Sequence, residues 1–301
     1  MVSILVPCYN HERFLDDCLQ SLMDQTYDEI ELLINDDGST DQSWNLIEAK
    51  KEQLEHRFRR VYLHRNTKNQ GVTKSLNTLL KQATGDYIKI IASDDMLRRD
   101  YIKTCAAYME QHSECSAVVT NAFVVTESTR YTCDLKSKEF FYKEPPNFDK
   151  EEMLTRVYLE DIIAAPSTFV RKEVYDSIGN YDENLGAEDW DYWLRMLENG
   201  LEFDYLDEPL VYYRKNANSA SSTTVNSQMQ KRCLRILKYE LGVIDKHRKY
   251  VPLDVYWTRR NRTVMGQFYI AVNHRLPRLR AITRWQQIRN ACIKNRLKKE
   301  V

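Results

Sequence analysis

Residues 2–41, VSILVPCYNHERFLDDCLQSLMDQTYDEIELLINDDGSTD, place two apolar runs on either side of one helical stripe. VSILVP is a short strand ended by Pro7, and IELLIND is the next strand. Between them Phe14, Leu15, Cys18, Leu19 and Leu22 share one face of a helix expected from about Glu12 to Gln25. Strand, helix and strand joined by short turns imply parallel strands under a crossover helix. The alternation continues outward. Ser39, Thr40 and Asp41 are N-cap residues for a helix through STDQSWNLIEAKKEQL. VYLH is a third strand, Gly71 to Ala83 a helix with Val72, Leu76, Leu79 and Leu80 on one face, and DYIKIIAS a fourth strand. The chain is therefore of the α/β class, with a mostly parallel central sheet flanked by helices.

Ligands of such sheets bind outside the carboxyl ends of the strands. The polar segments closing these strands are PCYN (7–10), NDDGSTD (35–41), HRNTKNQG (64–71) and SDD (93–95), and all four should gather along one edge. Further on, SAVVTNAFVV (116–125) is a strand and 129–149 is irregular around Pro145 and Pro146. APSTFVRKEVYDSIG reads as a strand and a short helix ended by Gly179. AEDWDYWLRMLENG is a helix ended by Gly200, and EFDYLDEPLVYYR gives one or two strands. From about Val225 the chain is helical and increasingly basic.

Composition bounds the possibilities. The 301 residues are 43% hydrophobic, with few Gly and Pro, which suits a large folded domain without long linkers. Seven scattered cysteines without a C-x-x-C pair predict free thiols in a reducing compartment rather than a zinc site. The first residues lack the charged start and long apolar run of a signal peptide, and no window has the length of a membrane span. A cytoplasmic protein, soluble or peripheral on the inner face of the cell membrane, is expected. Neither G-x-G-x-x-G nor a Walker A loop occurs, which argues against a dehydrogenase or a P-loop NTPase.

In IKIIASDDML (88–97) an apolar strand runs directly into Asp94 and Asp95. Adjacent acids beside a core repel each other and are costly unless paired. Such carboxylates commonly hold Mg²⁺ or Mn²⁺ beside a phosphate, or one of them caps the following helix. At 36–37, Asp36 or Asp37 could accept from a base N–H while Gly38 to Asp41 form a turn and helix cap. Tyr9 offers either an aromatic face or a core side chain.

The segments 3–41 and 69–95 (NQGVTKSLNTLLKQATGDYIKIIASDD), then PSTFVRKEVYDSIGNYDENLGAEDWDYWLRM and YYRKNANSAS, closely resemble the GT-A-fold glycosyltransferases of family 2 over roughly residues 2 to 222. The resemblance implies an inverting, metal-dependent enzyme using Mn²⁺ or Mg²⁺ and a nucleotide-sugar donor, a UDP-sugar by expectation. Pro7, Tyr9 and Asn10 would lie beside the nucleotide, with Tyr9 stacking on the base and Asp37 bonding uracil next to Asp36. Asp95 would ligate the metal and Asp94 would contact the ribose or donor sugar. Lys74 falls near a basic donor-site position. In AEDWD, Asp189 would be the catalytic base, placed in a first helical turn that favours its ionised form. Trp190, Trp193, Leu194 and Leu197 would turn that helix inward. Many relatives carry Y-R-x-H where this chain has YRKN. The family His thus falls on Asn216, leaving Arg214 and Lys215 to supply charge to the diphosphate. The implied organisation is a nucleotide-sugar-binding half (1–95), an acceptor-binding and catalytic half of the same domain (96–222) and a basic helical C-terminal region (223–301).

From Lys246 to Val301 there are 15 Lys or Arg against two acids, so residues 1–245 carry the opposite charge in a chain that is neutral overall. Basic residues interleaved with Trp257, Phe268, Tyr269, Ile270 and Trp285 suit an anionic membrane surface, or else helices packing on an acidic domain. The acceptor would be a glycan or a polyprenyl-diphosphate-linked glycan in surface-polysaccharide assembly. No nucleic-acid module accompanies the charge. Two other readings are a sugar-nucleotide nucleotidyltransferase, opposed by the missing Gly-rich triphosphate loop, and an inactive sugar-nucleotide-binding scaffold, opposed by the intact Asp94, Asp95 and Asp189.

Overall fold

The computed structural model describes residues 1–146, 148–160, 162–215 and 227–273. Strands β1 (Val2–Cys8), β2 (Ile30–Asp36), β3 (Arg60–Arg65) and β4 (Tyr87–Ile90) alternate with helices α1 (Leu15–Met23), α2 (Ser43–Arg57) and α3 (Val72–Leu80). After the two-residue β5 (Met96–Leu97) come α4 (Tyr101–Gln111), β6 (Ala117–Thr126) and α5 (Lys150–Leu159). They are followed by β7 (Thr168–Arg171), α6 (Lys172–Ile178), α7 (Glu188–Glu198), β8 (Phe203–Lys215), α8 (Ser227–Lys246) and α9 (Leu253–Asn273). One sheet orders the strands β3-β2-β1-β4-β7-β6-β8-β5. β1 pairs in parallel with β2 and β4, β2 with β3, and β6 with β8, whereas β7 runs antiparallel to both β4 and β6. This is the mixed α/β architecture of the GT-A fold.

Alternation along the strands divides the core in two. Val2, Ile4 and Val6 of β1 join Ile30, Leu32 and Ile34 of β2 beneath α1 and α4. Leu5 and Leu33 face the other way, toward Leu76 and Leu79 of α3 and, farther along the sheet, Trp190, Trp193 and Leu194 of α7. The apolar stripe of α7 therefore packs inward as its spacing predicts, with Trp190 and Trp193 buried.

Element ends differ from expectation where a polar side chain found a better partner. β1 continues through Pro7. The Leu5 carbonyl accepts from Ile91 N on the β4 side, and the β1–β4 pairing ends there, at Leu5 with Ile90. Pro7 thus lacks an N–H only where the ladder has stopped, as an edge proline must. α2 starts at Ser43, four residues after the expected cap. Asp41 still accepts from Ser43 N at 2.9 Å, but Ser39 and Thr40 bind Asn10 instead: Asn10 N donates to Ser39 Oγ at 2.9 Å and Thr40 N to Asn10 Oδ1 at 2.8 Å.

α8 is fastened to α7 through a buried charge cluster. His247, just past α8, bonds Asp191 Oδ1 through Nε2 at 2.9 Å and Glu198 Oε1 through Nδ1 at 2.5 Å. Lys246 lies 2.8 Å from Asp191, and Arg195 bonds its other oxygen at 3.1 Å. Burial opposes the imidazolium, but the two carboxylates prevail and raise the His247 pKa above its ordinary 6.5. Asp191 is held below the usual carboxylate range despite its own burial, by bonds from His247 and Lys246.

His247→Ala leaves two buried acids short of a partner and should cost about 3–5 kcal/mol. A pKa raised on folding stabilises fully below the unfolded value and stops doing so as pH rises through the folded value. Urea unfolding of wild type and variant near pH 6 and near pH 9 should therefore show a gap that narrows at the higher pH.

Candidate active site

The carboxyl ends of β1 and β4 border a cavity of about 710 Å³. Pro7, Asn10, His11, Arg13 and Phe14 line it after β1, and Ile90, Ala92, Asp94 and Asp95 after β4. Ala164 to Pro166 and Thr168 face them, Glu188, Asp189 and Trp193 of α7 form the far wall, and Tyr213 and Arg214 of β8 complete it. Of the residues singled out in the sequence, Pro7, Asn10, Asp94, Asp95, Asp189 and Arg214 share this cavity. Tyr9, Asp36, Asp37 and Lys74 are not among its walls. Asn216 lies outside the described residues.

Tyr9 is 41% exposed beside the cavity, so it is a presented aromatic face and not a core tyrosine. Asp37 is buried and accepts from Asn66 Nδ2 at 2.8 Å, Gln70 N at 2.9 Å and Gly71 N at 2.8 Å. Its carboxylate thereby folds the 66–71 turn onto the end of β2. A carboxylate offers about four acceptor positions, so one remains beyond these three. Asp36 accepts from Ser39 N at 3.1 Å and pairs with Arg65 Nε at 3.4 Å, a wholly buried role within the turn. Lys74 is exposed on α3 outside the cavity, while Val72 and Leu76 of the same helix line it.

Arg214 is buried. Nε donates to Asp94 O at 2.8 Å, Nη1 to Thr126 O and Thr129 O at 3.0 and 2.6 Å, and Nη2 to Asp17 Oδ2 and Met96 Sδ at 3.4 Å each. The five N–H donors of this guanidinium thus have partners inside the fold, while the residue also borders the cavity. Lys215 pairs with Glu139 at 3.0 Å on the surface.

Asp95 is buried and accepts from Arg214 N at 2.7 Å. Burial first, then the adjacent Asp94, push its carboxyl well above the usual range, against the pull of Arg214 and Lys89. Two adjacent carboxylates at the cavity wall offer the hard oxygen ligands that a divalent cation such as Mn²⁺ or Mg²⁺ takes. Among the described residues no cluster of three His, Cys, Asp or Glu side chains forms a self-sufficient metal cage. Mg²⁺ ordinarily takes one or two carboxylates and draws its other ligands from phosphate and water.

At the far wall, Ala187 has φ 60° and ψ 52°, a left-handed conformation that a non-glycine residue adopts at some cost. It launches α7 so that Glu188 and Asp189 meet the cavity. Asp189 Oδ1 accepts from Trp190 N at 2.8 Å. The helix N-terminus was expected to favour ionisation, and these backbone bonds do pull that way. Burial outweighs them and raises the Asp189 carboxyl. Burial and the neighbouring Asp189 push Glu188 up to about 7. Beside Asp189, the cavity wall holds Glu188, His11 and Arg13, which the sequence motifs single out only by containing them. His11 Nδ1 lies 2.8 Å from Ser93 Oγ and bridges the β1 and β4 ends.

Gly38 has φ +71°, and a Cβ there would fall 2.7 Å from the Lys68 carbonyl carbon. Gly38→Ala should cost more than about 1 kcal/mol through left-handed strain alone and push the 66–71 turn off Asp37. Thermal unfolding checks the first effect, and exchange protection of the Gln70 and Gly71 amides checks the second.

Solved structures with the same fold include S. aureus TarS residues 1–349 in complex with UDP-GlcNAc (TM-score 0.58, 20% identity, 85% of this chain and 72% of that one). Another is the mannosyltransferase PcManGT of Pyrobaculum calidifontis with GDP-Man and Mn²⁺ (TM-score 0.58, 14% identity, 97% and 80%). Similar proteins include GlyG, a glycosyltransferase of Streptococcus pneumoniae, 25% identical over 74% of this chain and 73% of its own. TuaG of Bacillus subtilis, named for teichuronic acid biosynthesis, is 27% identical over 74% and 82%. The model of glycosyl transferase family 2 matches residues 3–179, and the chain belongs to that family.

Proposed function

We propose that the chain transfers a sugar from a UDP-sugar to a hydroxyl of a glycan or polyprenyl-diphosphate-linked glycan, with inversion, in surface-polysaccharide biosynthesis. The observation that carries this reading is the single cavity with Asp94 and Asp95 at one end and Glu188 and Asp189 at the other. One end suits a metal-bound diphosphate and the other a proton acceptor. The nucleotide sugars held by TarS and PcManGT, and the polysaccharide name of TuaG, point the same way.

The base occupies the end of the 2–41 unit. Tyr9 offers its exposed ring for stacking, Pro7 a rigid edge, and the last acceptor position of Asp37 takes the uracil N–H. Asp95 would ligate Mn²⁺ or Mg²⁺ and Asp94 would meet the ribose or donor sugar. When bound, the metal supplies neutralisation of the charge on the departing diphosphate. Asp189 Oδ1 is oriented by Trp190 N, and the carboxylate accepts the proton of the acceptor hydroxyl as its oxygen attacks the anomeric carbon. Burial makes this carboxylate a stronger base than one in water. Displacement from the face opposite the nucleotide inverts the anomeric centre.

In a panel of sugar nucleotides with Mn²⁺, nucleoside diphosphate release is expected from a UDP-sugar. Asp95→Ala should abolish it. Asp189→Asn should bind UDP as wild type does yet lose at least about a hundredfold in transfer. Full transfer by Asp189→Asn would assign the base elsewhere.

The C-terminal helices supply a membrane-facing surface in this reading. Leu253, Trp257 and Val264 are exposed along α9, with Tyr250 just before it, and Lys249 and Arg260 lie over the Tyr250 and Trp257 rings at 4.6 and 5.8 Å. Among the described residues no helix is long and apolar enough to cross a membrane, so contact would be interfacial. Sedimentation with anionic liposomes should capture the protein and fail with zwitterionic ones. Trp257→Ala should weaken capture, and equal binding to both lipids would remove the electrostatic part of the proposal.

A further inference from the structure

β4 and β7 pair only at Tyr87 with Arg171 and Ile88 with Val170. Beyond that point β7 stays with β6 through Thr168 and Val119, while β4 runs on toward Asp94 and Asp95. The sheet opens between them, and the cavity occupies the opening. Ile90, Ala92 and Asp94 line one side, and Ala164, Ala165, Pro166 and Thr168 the other.

Lys89 stands at the root of that opening, wholly buried. Its Nζ donates to the carbonyls of Pro166 and Thr168, the latter at 3.3 Å, and lies 4.3 Å from the centre of the Tyr101 ring. Tyr101 is buried too, and its hydroxyl donates to Ser167 O at 3.3 Å and Thr168 O at 3.0 Å. Two side chains from the β4–α4 side thus supply donors to the carbonyls of the 166–168 segment, where β4 no longer pairs with β7. Without them, buried carbonyls would be stranded.

We propose that Lys89 is a positioning residue for sugar transfer, its amino group setting the width of the opening between the strand end bearing Asp94 and Asp95 and the 164–168 segment opposite. This rests on the glycosyl-transfer reading of the cavity. Burial lowers the Lys89 pKa to about 7. A neutral amine keeps two N–H groups, enough for both carbonyls, so the spacing survives loss of the charge. The position is sensitive because reacting groups tolerate little displacement, and a shift of about 1 Å can cost a hundredfold in rate.

The test compares wild type, Lys89→Met, which keeps an unbranched stem without donors, and Lys89→Gln, which keeps two donors on a shorter stem. UDP binding, thermal unfolding, and kcat and KM for UDP release from the UDP-sugar that wild type uses are measured on the full chain. The expected result is UDP affinity within about twofold of wild type in both variants, kcat lower by at least about tenfold in Lys89→Met, and partial recovery in Lys89→Gln. Unchanged kcat in Lys89→Met overturns the proposal. So does a loss of activity that merely follows the loss of folded, UDP-binding protein. If Lys89→Met does not fold, Lys89→Gln decides: wild-type kcat and KM overturn the proposal, and a kcat loss with UDP binding kept supports it. Failure of wild type to bind UDP would instead remove the glycosyl-transfer reading itself.

Discussion

Arg214 donates to the carbonyls of Asp94, Thr126 and Thr129 and pairs with Asp17, while its own backbone N–H donates to Asp95. One buried guanidinium joins the end of β6, the turn after β4, α1 and β8. Removing a cation from water is expensive, and the cost is recovered only when every donor is satisfied. Here the partners are mostly carbonyls, which hold position without neutralising the charge. The charge therefore remains to offset the acids beside it, and Asp94 and Asp95 can stay close together at the mouth of the sheet. The geometry of the acid end follows from that placement.

The opposite end of the cavity is built on a different constraint. Asp189 and Glu188 must begin a helix whose far side is anchored, and Ala187 takes a left-handed conformation to aim them. The anchor is the buried pairing of Asp191 and Glu198, farther along α7, with His247 from just past α8. Strain at Ala187 persists because the rest of α7 is over-determined by packing and charge. Between the two ends lies the opening where β4 leaves β7.

Most of the frame was legible because periodicity reports which face is buried. The β-α-β start, the helix ended by Gly179 and the inward face of α7 all follow from that rule. Roles that depend on who reaches whom across the chain were not legible. Arg214 looks the same in sequence whether it faces a diphosphate or five internal acceptors. Asp37 folds a turn 30 residues away, and Lys89 looked like one more residue of a buried strand. The raised carboxyls of Glu188 and Asp189 depend on burial that no local pattern reports, and this burial outweighs the helix N-terminus that favours ionisation.

The sequence of the basic C-terminal region suits either a membrane-facing tail or helices packing on the acidic domain. An α-helix separates those demands by face, since positions three or four apart repeat on one side. On α9, Tyr256, Arg259 and Thr263 are buried, and Arg259 lies over the Trp190 ring at 4.7 Å. Leu253, Trp257 and Val264 point outward from the same helix. Trp190 neighbours Asp189, and Tyr239 of α8 sits against Gly186, where an added Cβ would fall 2.1 Å from its ring. The outer face of α9 is therefore separated from Trp190 and Asp189 by the helix itself. One face of α9 thus packs on α7 while the other is free for surface contact, so the two uses of the basic region do not exclude each other.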